Sequence, residues 1–78
     1  MNLRLNDKVM FASEEKLREY YSDIKLDNTT ADYWINEYRP FFGKVLVIID
    51  TFPIIASHGS EWIYDISREE LIFISRGD

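Results

Sequence analysis

The first apolar stretch, Lys8-Val9-Met10-Phe11-Ala12, is short and bounded by polar residues, which predicts a strand over 8–12. Ser13 follows as an N-cap. Its hydroxyl can accept from a free amide of the first helical turn, and Glu14 and Glu15 complement the positive end of a helix. Leu17, Tyr20, Tyr21 and Ile24 recur at helical spacing and predict a helix over 14–22. Asp27-Asn28 is a turn signal, after which Thr29 or Thr30 is placed to cap a second short helix over 31–39. There Trp34 and Tyr38 stand at i, i+4 with Ile35 alongside, one aromatic stripe. Pro40 closes the helix, because the residue before a proline avoids helical angles.

Past Phe41-Phe42-Gly43 the texture changes from dense charge to β-branched and aromatic runs. The segment 44–51 (KVLVIIDT) is apolar on both faces, which predicts a central strand. Phe52-Pro53 makes a turn and 54–58 (IIASH) the return strand. Gly59-Ser60 is the next turn. In 62–66 (WIYDI), strict alternation puts Trp62, Tyr64 and Ile66 on one face and Ile63 and Asp65 on the other. Ser67-Arg68-Glu69-Glu70 has the Ser-to-Glu spacing of a capping box and fits a single 3₁₀ turn. A last strand is predicted over 71–75 (LIFIS), followed by the tail Arg76-Gly77-Asp78. That tripeptide matches an adhesion-receptor motif, and on a chain placed in the cytoplasm the match is accidental.

The expected fold is mainly β with short helices (α+β), a single domain over 1–78 with a helical insertion at about 13–40 after the first strand. Five short strands with a 3₁₀ turn before the last are the layout of an SH3-like five-stranded barrel. So short a sheet is expected to curl on itself, because the chain cannot otherwise cover both faces. The pieces Asp7-Lys8-Val9, Gly43-Lys44-Val45, Trp62 and Glu70-Leu71 sit in an order that resembles a group of small SH3-like proteins of bacteria and their phages. The resemblance spans about 5–74. It implies the barrel and a phage-type accessory factor acting on a host component, and it carries over no catalytic or binding residue.

Seventy-eight residues allow one domain. With 46% apolar residues the chain has enough to fold, and with no cysteine it has neither disulfides nor thiolate metal sites. Aromatics at 15% take the place of such staples. The formal charge of −5 disfavours nucleic acid, whose binding rests on Lys and Arg against phosphate. Arg39, Lys44, Arg68 and Arg76 are interleaved with Asp50, Glu61, Asp65, Glu69 and Glu70. No apolar run approaches the ~20 residues of a membrane span, and the N-terminus lacks an apolar signal core, so a cytoplasmic location is expected.

Catalytic chemistry finds little to work with. His58 is the one histidine. Ser57 or Ser60 with His58 and Asp65 would assemble a Ser–His–Asp set on paper, but adjacent strand residues point to opposite faces. Asp23, Asp27 and Asp32 lack the spacing of a calcium loop. No enzyme, cofactor or metal site is expected. What remains is a surplus of aromatics, which commonly anchor protein interfaces. The expected function is a small binding module that modulates or inhibits a host or defence protein. Its contact surface would be Tyr20, Tyr21, Tyr33, Trp34 and Tyr38, edged by Glu14, Glu15, Glu19 and Glu37. The alternatives are a nucleic-acid-associated barrel in a transcription or translation complex, and a subunit that self-assembles through open strand edges.

Overall fold

The computed structural model describes residues 2–78. The chain is α+β: strand β1 (Lys8–Phe11), helices α1 (Glu14–Asp23) and α2 (Asn28–Tyr38), a 3₁₀ turn (Arg39–Phe41), strands β2 (Leu46–Thr51), β3 (Ile54–His58) and β4 (Glu61–Ile66), a second 3₁₀ turn (Arg68–Glu70), and strand β5 (Leu71–Ser75). Local chemistry sets the ends. Ser13 Oγ accepts from Lys16 N at 3.2 Å, as its position before the acidic first turn requires. At α2 the cap is Asp27, whose Oδ1 accepts from Thr30 N at 2.8 Å, so the helix begins at Asn28, three residues before the predicted start at 31. Pro40 falls inside the 3₁₀ turn that tightens the chain after Tyr38. The predicted strand over 44–51 starts only at Leu46, after Gly43 turns the chain at φ +77.

The five strands form one antiparallel sheet in the order β4-β3-β2-β1-β5. β2, apolar on both faces, is the middle strand. The sheet is open rather than closed, with β4 and β5 as its two edges. Ile54 pairs with Ile66 while Ala56 pairs with Ile63, so β4 carries an extra residue, and Asp65 within it has φ +56. That bulge resets the alternation. Ile63 and Ile66 are both buried, whereas Trp62 and Tyr64 are exposed, so Ile66 does not share their face as strict alternation predicts.

Two apolar clusters hold the fold. One joins the sheet through Val9, Phe11, Leu46, Ile48, Ala56, Ile63, Ile66 and Leu71, and takes in Tyr38 from α2. The Tyr38 ring stacks on Phe11 with centroids 4.3 Å apart. The other lies between the helices and comprises Ala12, Leu17, Tyr21, Ala31 and Ile35. Phe42 is half-buried against both.

Two buried carboxylates tie distant parts together. Glu70 completes the capping box by accepting from Ser67 N at 2.8 Å, and its other oxygen accepts from the Tyr21 hydroxyl, fastening α1 to the turn before β5. Asp7 accepts from Arg4 N and Arg76 Nη1, each at 2.8 Å, and from Gly77 N at 3.3 Å. A Cβ on Gly77 would lie 1.7 Å from the Asn6 carbonyl oxygen, so glycine is needed for this close approach. The Arg-Gly of the terminal tripeptide thus serves the fold.

Candidate aromatic docking face

The bulge in β4 and the helical pitch of α2 bring two sets of aromatics to one hollow. On α2, Tyr33 is 55% exposed and Trp34 38% exposed, one residue apart and turned outward from buried Ile35. Their rings meet edge to face at 5.1 Å, and Trp34 lies 5.8 Å from Tyr38. On β4, Trp62 and Tyr64 are each 56% exposed, two residues apart on the outer face, with rings 6.2 Å apart. Together with Glu37, Phe41, Tyr38 and Ile63 they line a hollow of about 220 Å³. On the other side of Trp34 a second hollow of about 200 Å³ is lined by Tyr20, Tyr21, Ile24, Leu26, Asp65, Ser67 and Glu70, again with Tyr38. Trp34 and Tyr38 belong to both.

Charge around these hollows is one-sided. Burial, and then the charges of Glu70, Asp65 and Glu37, push the Tyr38 phenol above its ordinary value. The Glu37 carboxylate, through its charge and then a hydrogen bond from the Tyr33 hydroxyl, raises the Tyr33 phenol as well. The Tyr21 phenol is raised by burial first and by its bond to Glu70 second. Among the described residues, no Lys or Arg side chain lines either hollow.

The sequence-predicted surface is therefore divided. Tyr33, Trp34 and Glu37 stand together on the first hollow, and Tyr20, half-buried, stands on the second. Tyr21 and Tyr38 are 3% and 4% exposed, so they are core residues whose edges reach the hollows, not exposed contact residues as expected. Both lie on the inward stripe of their helices, Tyr21 four residues from Leu17 and Tyr38 three from Ile35. Glu14, Glu15 and Glu19 line neither hollow. Glu14 is bonded to Arg18 at 3.2 Å and Arg39 at 2.9 Å, which lower its carboxyl. Glu15 and Glu19 are exposed along α1. The residues that sequence reasoning left out of the surface are Trp62, Tyr64, Phe41 and Asp65. Trp and Tyr at alternate positions flanking an isoleucine were the available signal.

His58 is half-buried and packs edge-on against Phe41 at 6.4 Å. Among the described residues, no group of three or more His, Asp or Glu is placed to hold a metal ion, and no helix is long and apolar enough to cross a membrane. No protein-family model matches the chain, and no curated protein or solved structure is significantly similar to it.

Proposed function

We propose that this chain is a small, non-enzymatic, cytoplasmic protein-binding module built on an SH3-like half-open barrel, with Tyr33, Trp34, Trp62 and Tyr64 as its docking face. The observation that carries the reading is the convergence of four exposed large aromatics, from two elements far apart in sequence, on one hollow. Solvent-exposed Trp and Tyr are costly to leave uncovered and are the residues that most often dominate interface energetics. The barrel reading is supported by the strand order, by the bulges that bend the strands, and by the 3₁₀ turn immediately before β5. The phage-type role against a host or defence protein belongs to the same proposal and rests on the sequence resemblance.

The test is a tagged pull-down from bacterial lysate, with and without nuclease, with the wild-type chain beside Trp34→Ala and Trp62→Ala. A protein retained by the wild type and lost by both variants supports the docking face. Retention that both variants preserve refutes it, and partners that vanish only with nuclease assign the chain to nucleic acid. A second reading, self-assembly, is favoured by the unpaired outer edge of β5, where Ile72 and Ile74 are 51% and 42% exposed. Light scattering at two concentrations decides it.

A further inference from the structure

The docking face has a chemistry as well as a shape. We propose that the two hollows flanking Trp34 recognise a cationic segment of a partner protein, an extended stretch that places Arg or Lys side chains against Trp34 and Trp62. The inference rests on the reading of this face as a docking surface and adds the class of partner.

Three observations carry it. The first is electrostatic complementarity. Glu37 lies on one hollow, Asp65 and Glu70 on the other, and among the described residues no cationic side chain lines either. The two arginines of the helical insertion are engaged elsewhere, Arg18 with Glu14 and with Asp32 at 2.8 Å, Arg39 with Glu14. The negative field over the aromatics is therefore left for a partner to neutralise. The second is ring geometry. Exposed indole and phenol faces attract a guanidinium or ammonium group held within ~6 Å, and this protein already uses that contact internally, with Arg76 5.0 Å from the Phe73 ring centre. The third is the Tyr38 hydroxyl. Tyr38 is 4% exposed, and among the described residues no hydrogen bond joins its hydroxyl to another protein group. Among the described residues no fully buried polar side-chain atom lacks a partner, so that hydroxyl is accessible at the hollows Tyr38 lines. Its oxygen, beside carboxylates that disfavour the phenolate, is an acceptor for a guanidinium or ammonium N–H.

A nucleic acid does not fit this surface, because its phosphates would face Glu37 and Asp65. An acidic peptide fails for the same reason. A purely apolar segment would cover the rings and leave the carboxylates without a counter-charge.

The chain has two tryptophans, both on this face, and their indole N–H resonances are direct reporters. The isotope-labelled protein is titrated with a capped Gly-Ser peptide punctuated by arginines, and with peptides of the same length in which citrulline or glutamate replaces arginine. The arginine peptide is expected to shift both indole resonances saturably and to weaken with salt. The citrulline and glutamate peptides should bind at least tenfold more weakly. The Glu37→Gln/Asp65→Asn variant should bind the arginine peptide about tenfold more weakly while keeping its native spectrum. Asparagine suits position 65 because it tolerates the left-handed backbone there. Equal binding of the arginine and citrulline peptides overturns the proposal. So do shifts that map to the acidic face of α1 instead of the indoles. A lysate partner captured through Trp34 and Trp62 but not displaced by the arginine peptide leaves the docking face intact and removes the cationic chemistry. Capture indifferent to both tryptophans removes the docking face itself.

Discussion

Tyr21→Phe removes one oxygen atom from the interior and should be costly beyond its size. The ring stays, so the packing between α1 and α2 against Leu17, Ala31 and Ile35 is kept. What is lost is the donor to one oxygen of Glu70, a residue only 4% exposed. The other oxygen is committed to Ser67 N. Hydrogen bonds to charged groups contribute ~1.5–3 kcal/mol, and an orphaned buried acceptor keeps its full desolvation cost. Tyr21 and Glu70 also border a hollow that a water can enter, which moves the expected loss to ~2 kcal/mol. For a domain of this size that corresponds to a Tm lower by ~8–16 °C. Circular dichroism melts and urea titrations measure it, with an unchanged m-value showing that the unfolded state is not altered. In a Glu70→Gln background the same substitution orphans a neutral group, so its cost should fall to about half. A loss below ~0.5 kcal/mol, or the same loss in both backgrounds, would refute the view that a carboxylate–phenol bond fastens the helical insertion to the sheet.

Trp34→Ala should cost ~1–2 kcal/mol and leave a single cooperative transition, since Trp34 belongs to neither apolar cluster, whereas Ile35→Ala, fully buried next to it, should cost ~2–5 kcal/mol; an order reversed in chemical denaturation would make Trp34 a core residue. Arg76→Ala should destabilise by ~3 kcal/mol, because Asp7 is fully buried and keeps only two backbone donors, and a melt indistinguishable from wild type would show that the ion pair is dispensable. Alkaline pH should unfold the protein. The phenols of Tyr21 and Tyr38 are raised above 10.0 in the folded state, so their contribution is fully present below pH 10 and is lost as pH rises towards the folded values. Phenolate absorbance followed with circular dichroism checks this, since these two groups should ionise together with unfolding, and their ionisation in a still-folded chain would contradict the structure.

Much of the framework was legible locally. The two-faced apolar run of β2 marked the middle strand, the Ser67-to-Glu70 spacing marked the 3₁₀ turn, and Ser13 marked the start of α1. The errors were of two physical kinds. Asp27 and Thr29 or Thr30 are all competent caps, and only the backbone decides which one is used. The extra residue in β4 was invisible because alternation assumes an unbroken ladder, and it moved Ile66 to the opposite face. The docking face was half legible. Tyr33, Trp34 and Glu37 could be read from helical spacing, but their meeting with Trp62 and Tyr64 depends on how α2 leans on the sheet. The long-range ties of Asp7 and Glu70 were hidden for a similar reason. Glu70 was legible only as a capping-box residue and Asp7 only as an acid before β1, and the distant partners of Asp7 and Glu70 stand 69 and 49 residues away along the chain.

The Asp7 clasp also governs how the molecule would respond to being pulled. β1 and β5 are antiparallel neighbours, with Lys8 opposite Ser75, so force applied to the two ends enters the ladder at the same rung. The strands would peel rung by rung instead of sliding past one another under a shared load, which makes this a mechanically soft geometry. The Asp7–Arg76 ion pair and the Gly77 amide lie just outside that first rung and are loaded before the β1–β5 ladder is. Between β1 and β5, the first resistance to end-to-end tension is thus a single carboxylate at the mouth of a zipper.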